Sequence, residues 1–90
     1  MHAGDRPQRK EGIVWRRGND GVVVLNPNDG QYFSLDDVGG RIWELCEGER
    51  SVADIADVLA EEYEADASVI QADALGLLHE LKDEGLVAVR

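Results

Sequence analysis

Leu25-Asn-Pro-Asn-Asp-Gly-Gln-Tyr-Phe-Ser-Leu35, running into Asp36-Asp-Val-Gly-Gly-Arg-Ile-Trp43, is the stretch that decides the fold. Pro27 presets φ at the first central position of a turn and Gly30 accepts the left-handed one, so Pro27-Asn-Asp-Gly30 closes a hairpin. Gln31 to Leu35 then reads as a strand, and the periodicity changes at once to that of a helix. Asp36 or Asp37 can cap that helix by accepting its orphan N–H groups. Val38, Ile42, Leu45 and Cys46 share one stripe, with Trp43 on its shoulder.

Upstream, Ile13-Val-Trp-Arg-Arg17 is rich in strand formers, and Gly18-Asn-Asp-Gly21 offers the residues a tight turn needs. Val22 to Leu25 is a continuous apolar run, the pattern of a central strand covered on both faces. These features predict an antiparallel meander with strands over about 12–17, 21–26 and 31–35. Residues 1–11 have no apolar periodicity and are expected to form a flexible tail.

Downstream, helices are predicted over about 37–47, 52–63 and 69–84. Gly48 is expected to end the first. Gly39 and Gly40 each cost a helix roughly 1 kcal/mol relative to Ala, which implies close backbone packing there or a later helix start. Ser51 caps the second helix with Asp54 completing the pair, and Val52, Ile55, Ala56, Leu59 and Tyr63 form its stripe. Asp54, Asp57, Glu61 and Glu62 read as a solvated face. Ser68 with Gln71 reads as a capping box for the third helix, whose stripe is Ile70, Ala74, Leu77, Leu78 and Leu81. Gly85 suits the left-handed position after it, with Leu86 folding back and Val87-Ala-Val89 adding a short extended end. The order implies an α+β domain, winged helix-turn-helix-like, with the helices on one face of the sheet.

Ninety residues make one domain, and 43% apolar content is enough for one core. A net charge of -10 has the wrong sign for nucleic acid or an anionic membrane. The acidity serves solubility or attraction to a basic partner. Cys46, the lone cysteine, permits no intrachain disulfide and no thiolate metal site, and its stripe makes it a core thiol. Neither His2 nor His79 has ligands at metal spacing. Ser34, Ser51 and Ser68 lie in no nucleophile turn, and no phosphate loop follows Gly39-Gly40. No enzyme, metal or cofactor is expected. No apolar run is long enough to span a bilayer or serve as a signal peptide, so a cytoplasmic location is expected. As a DNA reader the third helix would bring Asp73, Glu80, Asp83 and Glu84 to phosphates against only Lys82.

Val24-Leu-Asn, Gly30-x-Tyr-Phe-x-Leu35, Val38-Gly, Ile42-Trp-x-Leu45, Gly48, Val52-x-x-Ile55, Leu59, Tyr63, Val69, Asp73 and Leu78-x-x-Leu81-x-x-x-Gly85-Leu86 follow one another in an order that resembles the pyrroloquinoline quinone synthesis protein D family. These are RiPP recognition elements, domains that bind leader peptides of ribosomally made, modified peptides. Within the family, Tyr-Phe before the first helix and Ile-Trp inside it look most like the free-standing B protein of lasso-peptide pathways. That resemblance implies a non-catalytic adaptor serving a leader peptidase and a macrolactam-forming cyclase, with leaders carrying Tyr-x-x-Pro. The alternatives are a pyrroloquinoline-quinone-type chaperone serving a radical-SAM enzyme, a winged-helix regulator, or a subunit that only stabilises a partner enzyme. The departure is Asp36-Asp37, where many relatives have Asn and then a small residue.

The resemblance also implies strand addition: the leader pairs antiparallel with the third strand and its side chains enter a groove beside the third helix. The residues support such an edge independently, since Gln31, Tyr32, Phe33, Ser34 and Leu35 include no Lys or Pro to guard it. The groove walls are then expected from the strand and, across from it, Val69, Ile70, Asp73, Ala74 and Leu77. Phe33, Leu35, Ile70 and Leu77 equally fit a core, whereas Tyr32, Val69 and Asp73 sit off the central stripe.

Overall fold

The computed structural model describes residues 1–90. Its elements are β1 (Pro7–Arg9), β2 (Val14–Arg17), β3 (Val22–Asn26), β4 (Gln31–Leu35), α1 (Asp37–Glu44), α2 (Val52–Tyr63), α3 (Ala67–Asp83) and β5 (Val87–Val89). The meander β2-β3-β4 is antiparallel throughout, with Trp15 opposite Val24 and Val24 opposite Phe33. Gly18 N–H to Gly21 O (2.8 Å) and Gly30 N–H to Asn26 O (2.8 Å) close its two turns, and Gly30 takes φ +73°. The fold is α+β, as expected.

Alternation sets what each strand buries. Val22, Val24 and Asn26 are buried beneath the helices. Val23 remains 46% exposed, and Val14 and Tyr32 stand on the same open side. The expected covering of Val22–Leu25 on both faces is therefore corrected: the helices pack on one face only, and nothing lies over the other. The core joins Val22 and Val24 to Ile42, Trp43 and Cys46 of the α1 region, Ile55 and Leu59 of α2, Ala74, Leu78 and Leu81 of α3, and Leu86 and Val87.

One residue separates β4 from α1. Asp36 caps the helix, its Oδ1 accepting the Gly39 N–H at 2.7 Å. The glycine pair then explains itself: a Cβ on Gly40 would lie 2.7 Å from Val22 Cγ2, so only glycine lets α1 settle onto β3. The helix ends at Glu44 rather than 47, because Cys46 N–H bonds back to Trp43 O and the Arg9 guanidinium takes the Trp43 and Glu44 carbonyls at 2.9 and 2.7 Å. Gly48, at φ +81°, instead donates to Pro7 O.

Helix α2 has the expected capping box between Ser51 and Asp54. Helix α3 does not start from a Ser68 cap. Asp66 takes that role, accepting both the Ser68 N–H (2.8 Å) and its hydroxyl (2.7 Å), so α3 begins at Ala67. Gly85 is left-handed, and Leu86 N–H folds back to Leu81 O at 2.9 Å.

The expected flexible tail over 1–11 is replaced by a strap. Residues Pro7–Arg9 pair antiparallel with Val87–Val89, forming a second, two-stranded sheet. Ahead of it, the carbonyls of Asp5 and Ala3 accept the Val52 and Ala53 N–H groups at the start of α2. The segment carries few apolar residues because its attachment runs through backbone groups that would otherwise be orphaned. Arg9 also lies over the Trp15 ring at 5.1 Å, and Trp15 meets Trp43 edge to face at 6.3 Å.

Two stability predictions follow from these attachments. Six backbone bonds tie Ala3, Asp5, Arg6, Pro7, Arg9 and Lys10 to Ala53, Val52, Arg90, Gly48, Cys46 and Leu86. At roughly 0.5 kcal/mol or more apiece, deleting residues 1–10 should cost about 3 kcal/mol in urea unfolding. Gly40→Ala should destabilise by about 1–2 kcal/mol despite its helix-propensity gain, because overpacking against Val22 outweighs it. A melting temperature equal to that of the unaltered chain would contradict either expectation.

Candidate functional site

Strand β4 is an edge: β3 pairs with one side, and the remaining strands β1 and β5 pair with each other. Alongside it, two adjoining cavities of about 510 and 500 Å³ separate β4 from α3. They share Ser34, Leu35 and Leu77, which form the waist of one furrow. The first cavity runs from Tyr32 and Phe33 to Glu80, Leu81, Asp83 and Glu84. The second runs from Asp36, Val38, Gly39 and Ile42 to Asp73. Lacking a Cβ, Gly39 keeps the floor low: an added carbon would stand 3.4 Å from Leu77 Cδ2.

The expected residues divide into three groups. Tyr32, Phe33, Ser34, Leu35, Asp73 and Leu77 all line the furrow. Phe33, Leu35 and Leu77 are half-buried against the core and offer apolar surface to the opening. Tyr32 is 70% exposed, its side chain alternating to the open side with Leu25 while its backbone stays at the edge. Gln31 is exposed at the start of β4, and Val69 is exposed on α3, both outside the two cavities. Ile70 and Ala74 are buried in the core and do not face the furrow. That corrects their assignment to the groove wall: with Leu78 they lie on the stripe of α3 that packs into the core, and the furrow meets the neighbouring stripe of Asp73 and Leu77.

Among the lining residues that sequence reasoning missed, Glu80 and Glu84 are the ones that change the character of the furrow. The signal was present, because Asp73, Leu77, Glu80 and Glu84 recur at helical spacing on one face of α3. The furrow thus has an apolar waist with acidic rims, and no Lys, Arg or His lines it.

On another side of α1, polar contacts fix its position. Arg17 of β2 bridges Asp37 and Glu44, both at 2.9 Å, and Arg41 pairs with Glu62 of α2 at 2.8 Å. Glu62, expected on a purely solvated face, is thereby engaged. The Tyr63 hydroxyl donates to Asp37 Oδ2 at 2.6 Å. That donation, with Arg17 beside it, holds the Asp37 carboxyl below the usual carboxylate range, and the Tyr63 phenol is pushed up to about 12. Glu62 is likewise lowered by hydrogen bonding from Arg41. Cys46 is a core thiol donating to Ile42 O at 3.1 Å, its pKa pushed up to about 12 by burial. No three His, Cys, Asp or Glu side chains are placed to hold a metal, and no helix is long and apolar enough to cross a membrane.

A small meander with an open edge and a helix set across a furrow from it is the architecture of a recognition domain. The sequence pattern of Coenzyme PQQ synthesis protein D (PqqD) matches residues 21–87, and the chain belongs to that family. A PqqA binding protein of Rhodopseudomonas palustris (strain HaA2) is 42% identical over 65 residues, which are 72% of this chain and 62% of that protein. The chain therefore matches less than two thirds of that relative's length. TbiB1, solved in complex with the TbiA(beta) leader peptide, superposes with a TM-score of 0.79 at 32% identity, covering 89% of this chain and 93% of that one. The PqqD truncation of Methylobacterium extorquens PqqCD, described as a RiPP recognition element, gives 0.83 at 29% identity, covering 98% and 94%. A lasso peptide synthetase B1 complexed with the leader peptide gives 0.79 at 26% identity, covering 92% and 98%.

The polar contacts of α1 generate a pH prediction. Asp37 and Glu62 are lowered in the folded state, so their contribution is present above their ordinary 3.8 and 4.5 and is lost as pH falls through the lower folded values. Tyr63 is raised, so its contribution holds below about 10 and is lost as pH rises towards 12. Tyr63→Phe should move the Asp37 titration, followed by carboxyl NMR, upward towards 3.8. An unchanged Asp37 midpoint would show that the phenol has no part in it.

Proposed function

We propose that this protein is a non-catalytic adaptor that binds the leader segment of a ribosomally made precursor peptide and delivers it to the enzymes that modify it. The leader adds as a strand to β4, antiparallel, and sends alternate side chains into the furrow beside α3. The observation that carries this reading is the conjunction of an unpaired edge with a furrow of apolar waist beside it from Tyr32 to Leu35. Edge addition uses main-chain bonds for affinity and the furrow for selection. Two of the similar solved structures are described with leader peptides bound, which supports it.

In the finer reading the precursor is a lasso peptide and the enzymes are a leader peptidase and a cyclase, in line with the likeness to a lasso peptide synthetase B1. The second reading, a PqqA-type precursor presented to a radical-SAM enzyme, is favoured by the PqqA binding relatives. In both, the contact residues are Gln31, Tyr32, Phe33, Ser34 and Leu35 on the strand with Asp73 and Leu77 on the helix. Val69 adds to them from its exposed position on α3.

Fluorescence anisotropy with a labelled lasso-type leader and a labelled PqqA-type peptide tests the proposal and separates the two readings. The true precursor class should bind with a Kd on the order of nanomolar to micromolar, because ordering a flexible leader offsets part of the contact energy. Methylating alternate backbone nitrogens of the bound leader should abolish binding. Tyr32→Ala should weaken it about fivefold, equivalent to roughly 1 kcal/mol, with an unchanged circular dichroism spectrum. Full affinity after N-methylation would exclude strand addition.

A further inference from the structure

The charges around the furrow point to the kind of peptide it takes. Asp36, Asp73, Glu80, Asp83 and Glu84 are the charged residues lining the two cavities, and all five are acidic. Asp36 is engaged as the cap of α1, and Asp83 lies 3.5 Å from His79. Asp73, Glu80 and Glu84 are exposed, with no side-chain hydrogen bond or ion pair. Arg9, Arg17 and Arg41 are used differently, in contacts away from the furrow.

The spacing gives this charge a pattern. Asp73 lies about 10 Å along α3 from Glu80 and about 16 Å from Glu84, at about 1.5 Å per residue. Between them sits Leu77, facing Leu35 across the waist. As β4 proceeds from Tyr32 to Asp36, the furrow passes from Glu84 back to Asp73, so β4 and α3 run in opposite senses along it. A peptide antiparallel to β4 therefore travels in the same sense as α3. In an extended chain, residues facing one side recur every second position, and four residues span about 13 Å. A cation, an apolar residue and a second cation at positions i, i+2 and i+4 thus match Asp73, the Leu35–Leu77 waist and the Glu80–Glu84 pair.

We infer that the furrow selects leaders in which an apolar residue is flanked, two positions away on each side, by Lys or Arg. This inference rests on the strand-addition reading above. Attraction of this kind acts between exposed groups, so salt screens it, and it speeds encounter as well as tightening the complex.

The test uses three acetylated, amidated nonapeptides: Thr-Thr-Lys-Thr-Leu-Thr-Lys-Thr-Thr and the versions with both Lys replaced by Gln or by Glu. Each is titrated into the isotopically labelled full chain, and Kd is read from backbone amide shifts of β4 and α3. The Lys peptide should bind about fivefold tighter than the Gln peptide at low salt, with the Glu peptide weakest. The order should collapse in 0.5 M salt and in the triple variant Asp73→Asn, Glu80→Gln, Glu84→Gln. These side chains are exposed and unpartnered, and circular dichroism checks that the variant folds. Equal affinity of Lys and Gln peptides for the furrow would overturn the charge selection while leaving strand addition standing. If no peptide moved the β4 and α3 amides, the charge selection would fall, and strand addition would be judged separately by the leader titration.

Discussion

The single-residue junction between β4 and α1 constrains everything that follows it. With only Asp36 between strand and helix, the chain must leave the sheet at Leu35 and turn under it. No later segment returns to pair with β4, because the next elements are helices and β5 is taken by β1. The Gly40–Val22 approach then fixes how closely α1 lies, and α3 comes to rest beside the strand it cannot cover. An exposed strand edge is ordinarily a liability, prone to pairing with other chains. Here the edge lies beside a furrow, and that pairing is the feature on which the proposed strand addition rests.

Charge is divided between two tasks. Arg17 joins sheet to helix, Arg41 joins α1 to α2, and Arg9 satisfies carbonyls at the end of α1. Asp73, Glu80 and Glu84 beside the furrow have no such partner. A net charge of -10 is thus not spread evenly over the surface but leaves a band of unopposed acids beside the apolar waist.

Much of this arrangement was legible in the residues. Gln31–Leu35 and Val52–Tyr63 were placed to the residue, because a Pro-Gly turn and a Ser-Asp capping box are local and self-sufficient signals. The strap Pro7–Arg9 was not legible, since its bonds are made by backbone and its sequence has no apolar alternation. Ser68 resembled a cap, but a better acceptor, Asp66, stood two residues earlier. Ile70 and Ala74 were misplaced because the apolar stripe was read as a groove wall, whereas it is the face that packs into the core and the furrow meets its shoulder at Asp73 and Leu77. Glu80 and Glu84 were read for their sign and not for their alignment with Leu77.

The pairing of Pro7 with Val89 joins a segment early in the sequence to one late in it, and both leave the ribbon at the same end. Tension applied across those two segments meets the β1–β5 ribbon as a zipper, parting its bonds one after another instead of shearing them together. The strap would peel away first, taking with it the groups that cover the start of α2 and the end of α1. A guest strand laid against β4 would pull on bonds that have no share in that seam.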